Sequence, residues 1–174
     1  ISTDPNDFIY YRSAGDLGAA TDYVTTYVTE SVKAGVGSAL KHFPGYGNNA
    51  DTHTGIAVDK RSAETFRTSD FLPFRAGIDA GCGIVMVSHN IVECFDKENP
   101  ASLSAEVHRV LREELGFDGV ITTDDLAMQA ITDSYGSGEA AVLAIEAGND
   151  LICCSDLSVK YEAVKSAYES GRIS

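Results

Sequence analysis

A repeated rhythm restricts the fold of this chain more than any other feature. Four times, an amphipathic stretch is closed by glycine and followed by a short, continuously apolar run that ends in polar residues. Residues 16–34 carry apolar side chains at helical spacing, Gly35 and Gly37 break the pattern, and Ser38–Phe43 reads as a strand. Residues 61–80 are helix-like from about Phe71, Gly81 and Gly83 stop them, and Ile84–Ser88 is β-branched and apolar. Ser104–Leu115 is amphipathic with Ser104 as N-cap, Gly116 ends it, and Val120–Thr123 follows. Ser137–Ala147 is helical, Gly148 closes it, Leu151–Cys154 is the fourth strand, and Val159–Ser170 is a last helix.

Strands that alternate with helices imply right-handed crossovers and a parallel sheet, an α/β fold. Runs without polar alternation suit strands buried on both faces. Polar groups sit just after the strands: Lys41-His42, Ser88-His89-Asn90, Asp124-Asp125 and Ser155-Asp156. That is the end where doubly wound sheets and (β/α)8 barrels bind ligands. Four βα units are half of a barrel, and a complete one usually needs about 200 residues or more. Either the sheet is open or a first half is absent from this chain. In the second case, exposed sheet edges favour a partner half or self-association.

Composition narrows the function. The formal net charge of −13 argues against nucleic acid, because phosphate binding needs a basic face. No apolar run approaches the roughly 18 residues of a membrane span, and no targeting segment is recognisable. Cys82, Cys94, Cys153 and Cys154 match no zinc or disulfide spacing, and Cys153 and Cys154 read as small hydrophobes. This favours a reducing, cytoplasmic compartment, with a secreted or lipid-anchored form left open.

The densest chemistry lies in KHFPGYGNNADTH, Lys41 to His53, which has no hydrophobic period. Pro44, Gly45 and Gly47 permit sharp turns, so the segment reads as a strand end running into a loop. On residue type alone, His53 is a surface histidine or, with His42 and Asp51, a zinc ligand. Asp124 either caps the next helix, pairs with Asp125 around a cation, or acts as a nucleophile.

KHFPGYG followed by DTH, then GFDGVITTDDLAM, resembles glycoside hydrolase family 3, in particular its bacterial β-N-acetylglucosaminidase branch. YYRSAG, FLPFRAGIDAG, IVMVSHN and AVLAIEAGNDLICC fit the same pattern, so the resemblance runs from about Phe8 to Cys154. It implies a (β/α)8 TIM barrel of which this chain is the C-terminal half, strands five to eight. It implies a retaining exo-β-N-acetylhexosaminidase with Asp124 as nucleophile and His53, oriented by Asp51, as acid/base. An imidazole suits that role because its ordinary pKa lies near neutrality. Lys41, His42 and Arg12 are implied to bind sugar hydroxyls. His89 is expected to line the pocket or to be a buried structural histidine, and Met128 to form an apolar wall. Asp125 is expected to be structural, and no cofactor is expected. A histidine acid/base also leaves room for phosphate as acceptor, hence a phosphorylase. Two departures fall in the loop: Tyr46 stands where the family commonly has histidine, and the stretch from Gly47 to Asp51 is one residue short.

Overall fold

A computed structural model describes residues 2–7 and 9–174. Phe8, where the resemblance begins, lies outside the described residues. The strands are β1 (Ala39–Phe43), β2 (Val58–Asp59), β3 (Ile84–Val87), β4 (Ile91–Val92) and β5 (Val120–Thr123). β1, β3 and β5 form one parallel sheet in that order, and β2 pairs with β4 in a small second one that the sequence did not reveal. The expected Ser38–Phe43, Ile84–Ser88 and Val120–Thr123 runs therefore agree with the observed strands to within a residue.

The expected fourth strand, Leu151–Cys154, does not form as such. It is reduced to one parallel bridge, Leu151 to Thr122. The Ile121 carbonyl receives both the Asp150 and Leu151 amides, and the Cys153 amide turns to the Thr123 hydroxyl at 3.0 Å. Side chain thus replaces backbone in the ladder. Leu151 remains 53% exposed, so this run has no buried outer face to hold it extended.

The helices follow local signals. In α1 (Leu17–Lys33), the Asp16 carboxylate accepts from the Ala19 amide at 2.9 Å. α2 (Ala63–Thr65) begins at Ser62, whose hydroxyl accepts from the Thr65 amide, and runs through a π-helical turn into α3 (Phe71–Asp79). Helix therefore starts well before Phe71. Ser104 caps α4 (Ala105–Arg109) as expected, and α4 widens into a π-helical turn at Val110–Glu114. After α5 (Gln129–Thr132) comes α6 (Ser137–Ala147), closed by Gly148 at φ +108°, and then α7 (Leu157–Glu169).

Phe43, Phe66, Phe71, Val85, Val87, Leu111 and Ile121 form the centre of the core. Phe43 stacks on Phe71 at 5.4 Å and meets Phe74 edge-on at 5.2 Å. Burying each such ring is worth roughly 1.5–3 kcal/mol, which fixes β1 against α3. A second cluster of Leu103, Leu126, Ile131 and, from α6, Ala140, Ala141 and Ala144 anchors the turn after β5. Among the described residues no helix is long and apolar enough to cross a membrane.

Candidate active site

Parallel register brings the polar strand ends to one level. Phe43 pairs with Val87, and Val87 with Thr123. The next amides continue the ladder: Ser88 N donates to the Phe43 carbonyl at 2.8 Å, and Asp124 N to the Val87 carbonyl at 3.0 Å. The register of β1 shifts between Lys41 and Phe43, so His42 stands out of the pairing. Such an irregularity re-aims a side chain. Here it brings His42 Nε2 to 3.4 Å from Asp124 Oδ2. Burial lowers the His42 pKa to about 4, against the pull of Asp124 and with the help of the Lys41 and Arg12 charges. At neutral pH the contact is between a neutral ring and a carboxyl group.

Asp124 is 20% exposed, and its Oδ1 accepts from the Asp125 amide at 2.8 Å. Asp125 itself is tied down: its carboxylate accepts from the Ala127 amide and from the Ser155 hydroxyl. Burial works against its charge, but those hydrogen bonds hold the carboxyl below the usual range. Asp125 is thus engaged within the protein, as expected. His89, expected to line a pocket or to be buried, has no exposed surface. Its Nε2 lies 3.0 Å from the Asp125 carbonyl and its Nδ1 2.8 Å from Ser102 Oγ. A carbonyl only accepts, so Nε2 carries the proton and the Ser102 hydroxyl donates to Nδ1. Burial pushes the His89 pKa down, which keeps the ring neutral. His89 therefore faces inward and supports the turn carrying Asp124 and Asp125. Met128 is buried at the start of α5.

Asp51 and His53, which the resemblance pairs, are in contact. Asp51 Oδ1 accepts from the His53 amide at 3.0 Å and lies 2.6 Å from His53 Nδ1. Slight burial opposes ionisation of Asp51, but the His53 amide and ring, with the Arg12 charge behind them, hold its carboxyl below the usual range. The His53 side chain is 62% exposed. The loop is tied to the segment after β5 by the Thr52 carbonyl, which accepts from the Ala130 amide of α5 at 3.3 Å. Arg12 acts on both His42 and Asp51, His53 acts on His89, and Asp124 acts on His89 and His42. Direct contacts join Asp51 to His53 and His42 to Asp124, and for Met128 burial is the main finding.

Arg12, on the 3-10 turn Tyr10–Arg12, also lines a cavity of about 370 Å³ with Lys41, His42 and Tyr46. Its apolar wall is Val28, Leu40 and Phe74. Asp124 and His53 do not line this cavity; His42 is the residue common to it and to the Asp124 contact. Among the described residues no three His, Cys, Asp or Glu side chains gather to hold a metal ion, His42, Asp51 and His53 included. All four cysteines are free thiols.

Sequence reasoning missed the support under the loop. Arg61 bridges two buried carboxylates, 2.8 Å from Asp59 and 2.9 Å from Asp70. Gly45 and Gly47 lie against this group: a Cβ on Gly45 would fall 2.2 Å from Asp70 Oδ1, and one on Gly47 2.7 Å from the Arg61 guanidinium. Both also have positive φ, which glycine adopts freely. The alternation of these glycines around Tyr46 was the one available signal.

The chain matches, over residues 1–174, the family model described as glycosyl hydrolase family 3 N terminal domain. It is 35% identical over 155 residues to a β-hexosaminidase of Xanthomonas campestris pv. campestris, covering 84% of this chain and 47% of that protein. A β-hexosaminidase of Stenotrophomonas maltophilia is 40% identical over 140 residues, covering 78% and 41%. Among solved structures, a glycoside hydrolase family 3 β-N-acetylglucosaminidase from Paenibacillus sp. superposes with a TM-score of 0.94 at 36% identity. That match covers 100% of this chain and 35% of the other. The chain spans less than half the length of these relatives.

Proposed function

The chain belongs to glycosyl hydrolase family 3, and from that premise we propose that it supplies the catalytic face of a retaining exo-β-N-acetylhexosaminidase. The observation that carries this reading is the Asp51–His53 hydrogen bond, 2.6 Å, in a loop whose Thr52 carbonyl is held by the helix that follows Asp124 and the end of β5. Asp124 attacks the anomeric carbon as His53 gives its proton to the departing oxygen. A glycosyl-aspartate ester forms and the aglycone leaves as an alcohol. His53, now neutral, takes a proton from water, whose oxygen attacks the same carbon and frees Asp124 and the sugar. Asp51, held ionised, stabilises the imidazolium that stands before the first transfer and forms again in the second. Lys41, His42 and Arg12 offer hydrogen bonds to sugar hydroxyls, and the substrate class is amino sugars of cell-wall or chitin origin.

We further place the chain as the C-terminal half of a (β/α)8 barrel. Three parallel strands plus the Leu151 bridge support this, as does the chain's share of its relatives' length. So do the apolar groups left exposed on the first and last long helices: Tyr23 and Tyr27 on α1, Leu157, Tyr161 and Tyr168 on α7. A phosphorylase is the second reading. An imidazole in place of a second carboxylate favours it, since phosphate then meets less fixed negative charge, while the ionised Asp51 weighs the other way. The test is hydrolysis of 4-nitrophenyl N-acetylglucosaminide by the full-length protein, with the glucoside as comparison, with and without phosphate. Release of free N-acetylglucosamine at a phosphate-independent rate supports the hydrolase. Sugar 1-phosphate as main product supports the phosphorylase, and preference for the glucoside contradicts the amino-sugar assignment.

A further inference from the structure

His53 rides on a loop with no regular secondary structure, yet the residue between the two members of its pair is firmly held. Thr52 is 2% exposed. Its amide donates to the Tyr46 hydroxyl at 2.9 Å, and its own hydroxyl shares a second 2.9 Å hydrogen bond with the same oxygen. Its carbonyl accepts from the Ala130 amide of α5, the helix that follows the Asp124 turn. The Tyr46 ring meets His42 edge-on at 5.6 Å, and His42 in turn faces Asp124. One side chain therefore touches both the segment that carries the proton donor and the ring beside the nucleophile.

Tyr46 is itself fixed from below. Its carbonyl accepts from Asn49 Nδ2 at 2.7 Å, and the same amide nitrogen donates to Asp59 Oδ2 at 2.7 Å. Asp59 belongs to the Arg61 group against which Gly47 lies. Tyr46 thus stands on a buried charged platform and reaches up to clasp Thr52. We propose that Tyr46 is a positioning residue for the acid/base: its hydroxyl, through Thr52, sets where the His53 imidazole stands relative to Asp124. This rests on the reading of His53 as proton donor.

The test is a leaving-group comparison in the full-length protein. Protonation matters greatly for an alcohol leaving group, such as the second sugar of an N-acetylglucosamine disaccharide, and little for 4-nitrophenolate. A positioned general acid contributes about 10²–10⁴-fold, and partial misplacement forfeits part of that. Read as kcat/KM, which reports formation of the glycosyl-enzyme and not its breakdown, Tyr46→Phe is expected to lose about 10-fold or more on the disaccharide and less than about threefold on the 4-nitrophenyl glycoside, and the losses compared below are read the same way. Amide hydrogen exchange at Thr52 is expected to quicken, with β3 and β5 unchanged. Thr52→Val, which keeps the amide and removes one hydroxyl, is expected to show the same selectivity more weakly and guards against misfolding of the tyrosine variant. Equal losses on both substrates, or none, overturn the proposal. His53→Ala separates the two levels. Selective loss there but not in Tyr46→Phe overturns the role of Tyr46 alone; no selectivity in His53→Ala overturns the acid/base reading beneath it.

Discussion

The turn after β5 and the loop after β1 hold the two halves of the proposed chemistry in opposite ways. Asp124 is placed by the sheet: its amide extends the ladder from Val87, its Oδ1 is fixed by the next amide, and the turn is braced by His89 and Ser155. Only 20% of its side chain is open to solvent. His53 is placed by side chains: Asp51 holds its ring, Tyr46 clasps its neighbour, and Arg61 with its two carboxylates carries the base of the loop. Its ring is 62% exposed. The proposed attacking group is preorganised by backbone, which reorganises little during reaction. The proposed proton donor is largely exposed, which suits a group that must exchange its proton each cycle.

The contrast can be broken at several points. The largest effect is expected at Asp124. Asp124→Asn keeps the shape of the turn and removes the nucleophile, so kcat should fall by about 10⁴-fold on every substrate, whatever its leaving group. His53→Ala comes next. It should slow the release of the enzyme-bound sugar by about 10²-fold or more, and added azide should restore turnover by yielding a glycosyl azide. The same azide should do nothing for the Asp124 variant, and rescue of both would erase the distinction between the two regions.

The sheet side also has a pH signature. His42 titrates near 6.5 when unfolded and at about 4 in the fold, so the native state prefers the neutral ring. Its stabilising contribution is complete above pH 6.5 and is lost as pH falls through the folded value, about 3 kcal/mol in all. Urea unfolding at pH 7 and pH 4 should show that loss, and His42→Gln should reduce it; superimposed pH profiles would show that His42 does not carry it. Burial depresses His89 and His108 in the same direction, so the variant keeps part of the slope. The smallest effect is expected at Asn49. Asn49→Ala removes the amide that joins the Tyr46 carbonyl to Asp59 and should lower stability by about 1–2 kcal/mol. Amide exchange should quicken over residues 45–53 and stay unchanged at Asp124, because the loop alone depends on that clamp.

The same contrast explains what the sequence revealed. β3 was legible from its continuously apolar run and β5 from its β-branched one, and Asp124 stood out in the polar pair that follows, its role as nucleophile coming from the resemblance. Ser104 and Gly148 announced their helix ends through local chemistry. Leu151–Cys154 misled because its apolar pattern matches a strand, while the Thr123 hydroxyl and an exposed outer face decide its geometry. The early start of helix at Ala63 was masked by a polar run, RSAET, whose signal is the Ser62 cap rather than an apolar stripe. Asp51 and His53 stand two apart, and the family resemblance pairs them. Tyr46 with Thr52, Asn49 with Asp59 and Arg61 with Asp70 could not, since contacts inside an irregular loop follow no period.

The central claim is that Asp124 forms a covalent bond to the sugar. Incubation of the full-length protein with a fluorinated N-acetylglucosaminide bearing a good leaving group slows breakdown of the glycosyl-enzyme, and peptide mass spectrometry then locates the adduct. The account predicts one added sugar on the peptide containing Asp124, and none in Asp124→Asn. An adduct on another carboxylate, or inactivation with no adduct on that peptide, would contradict it.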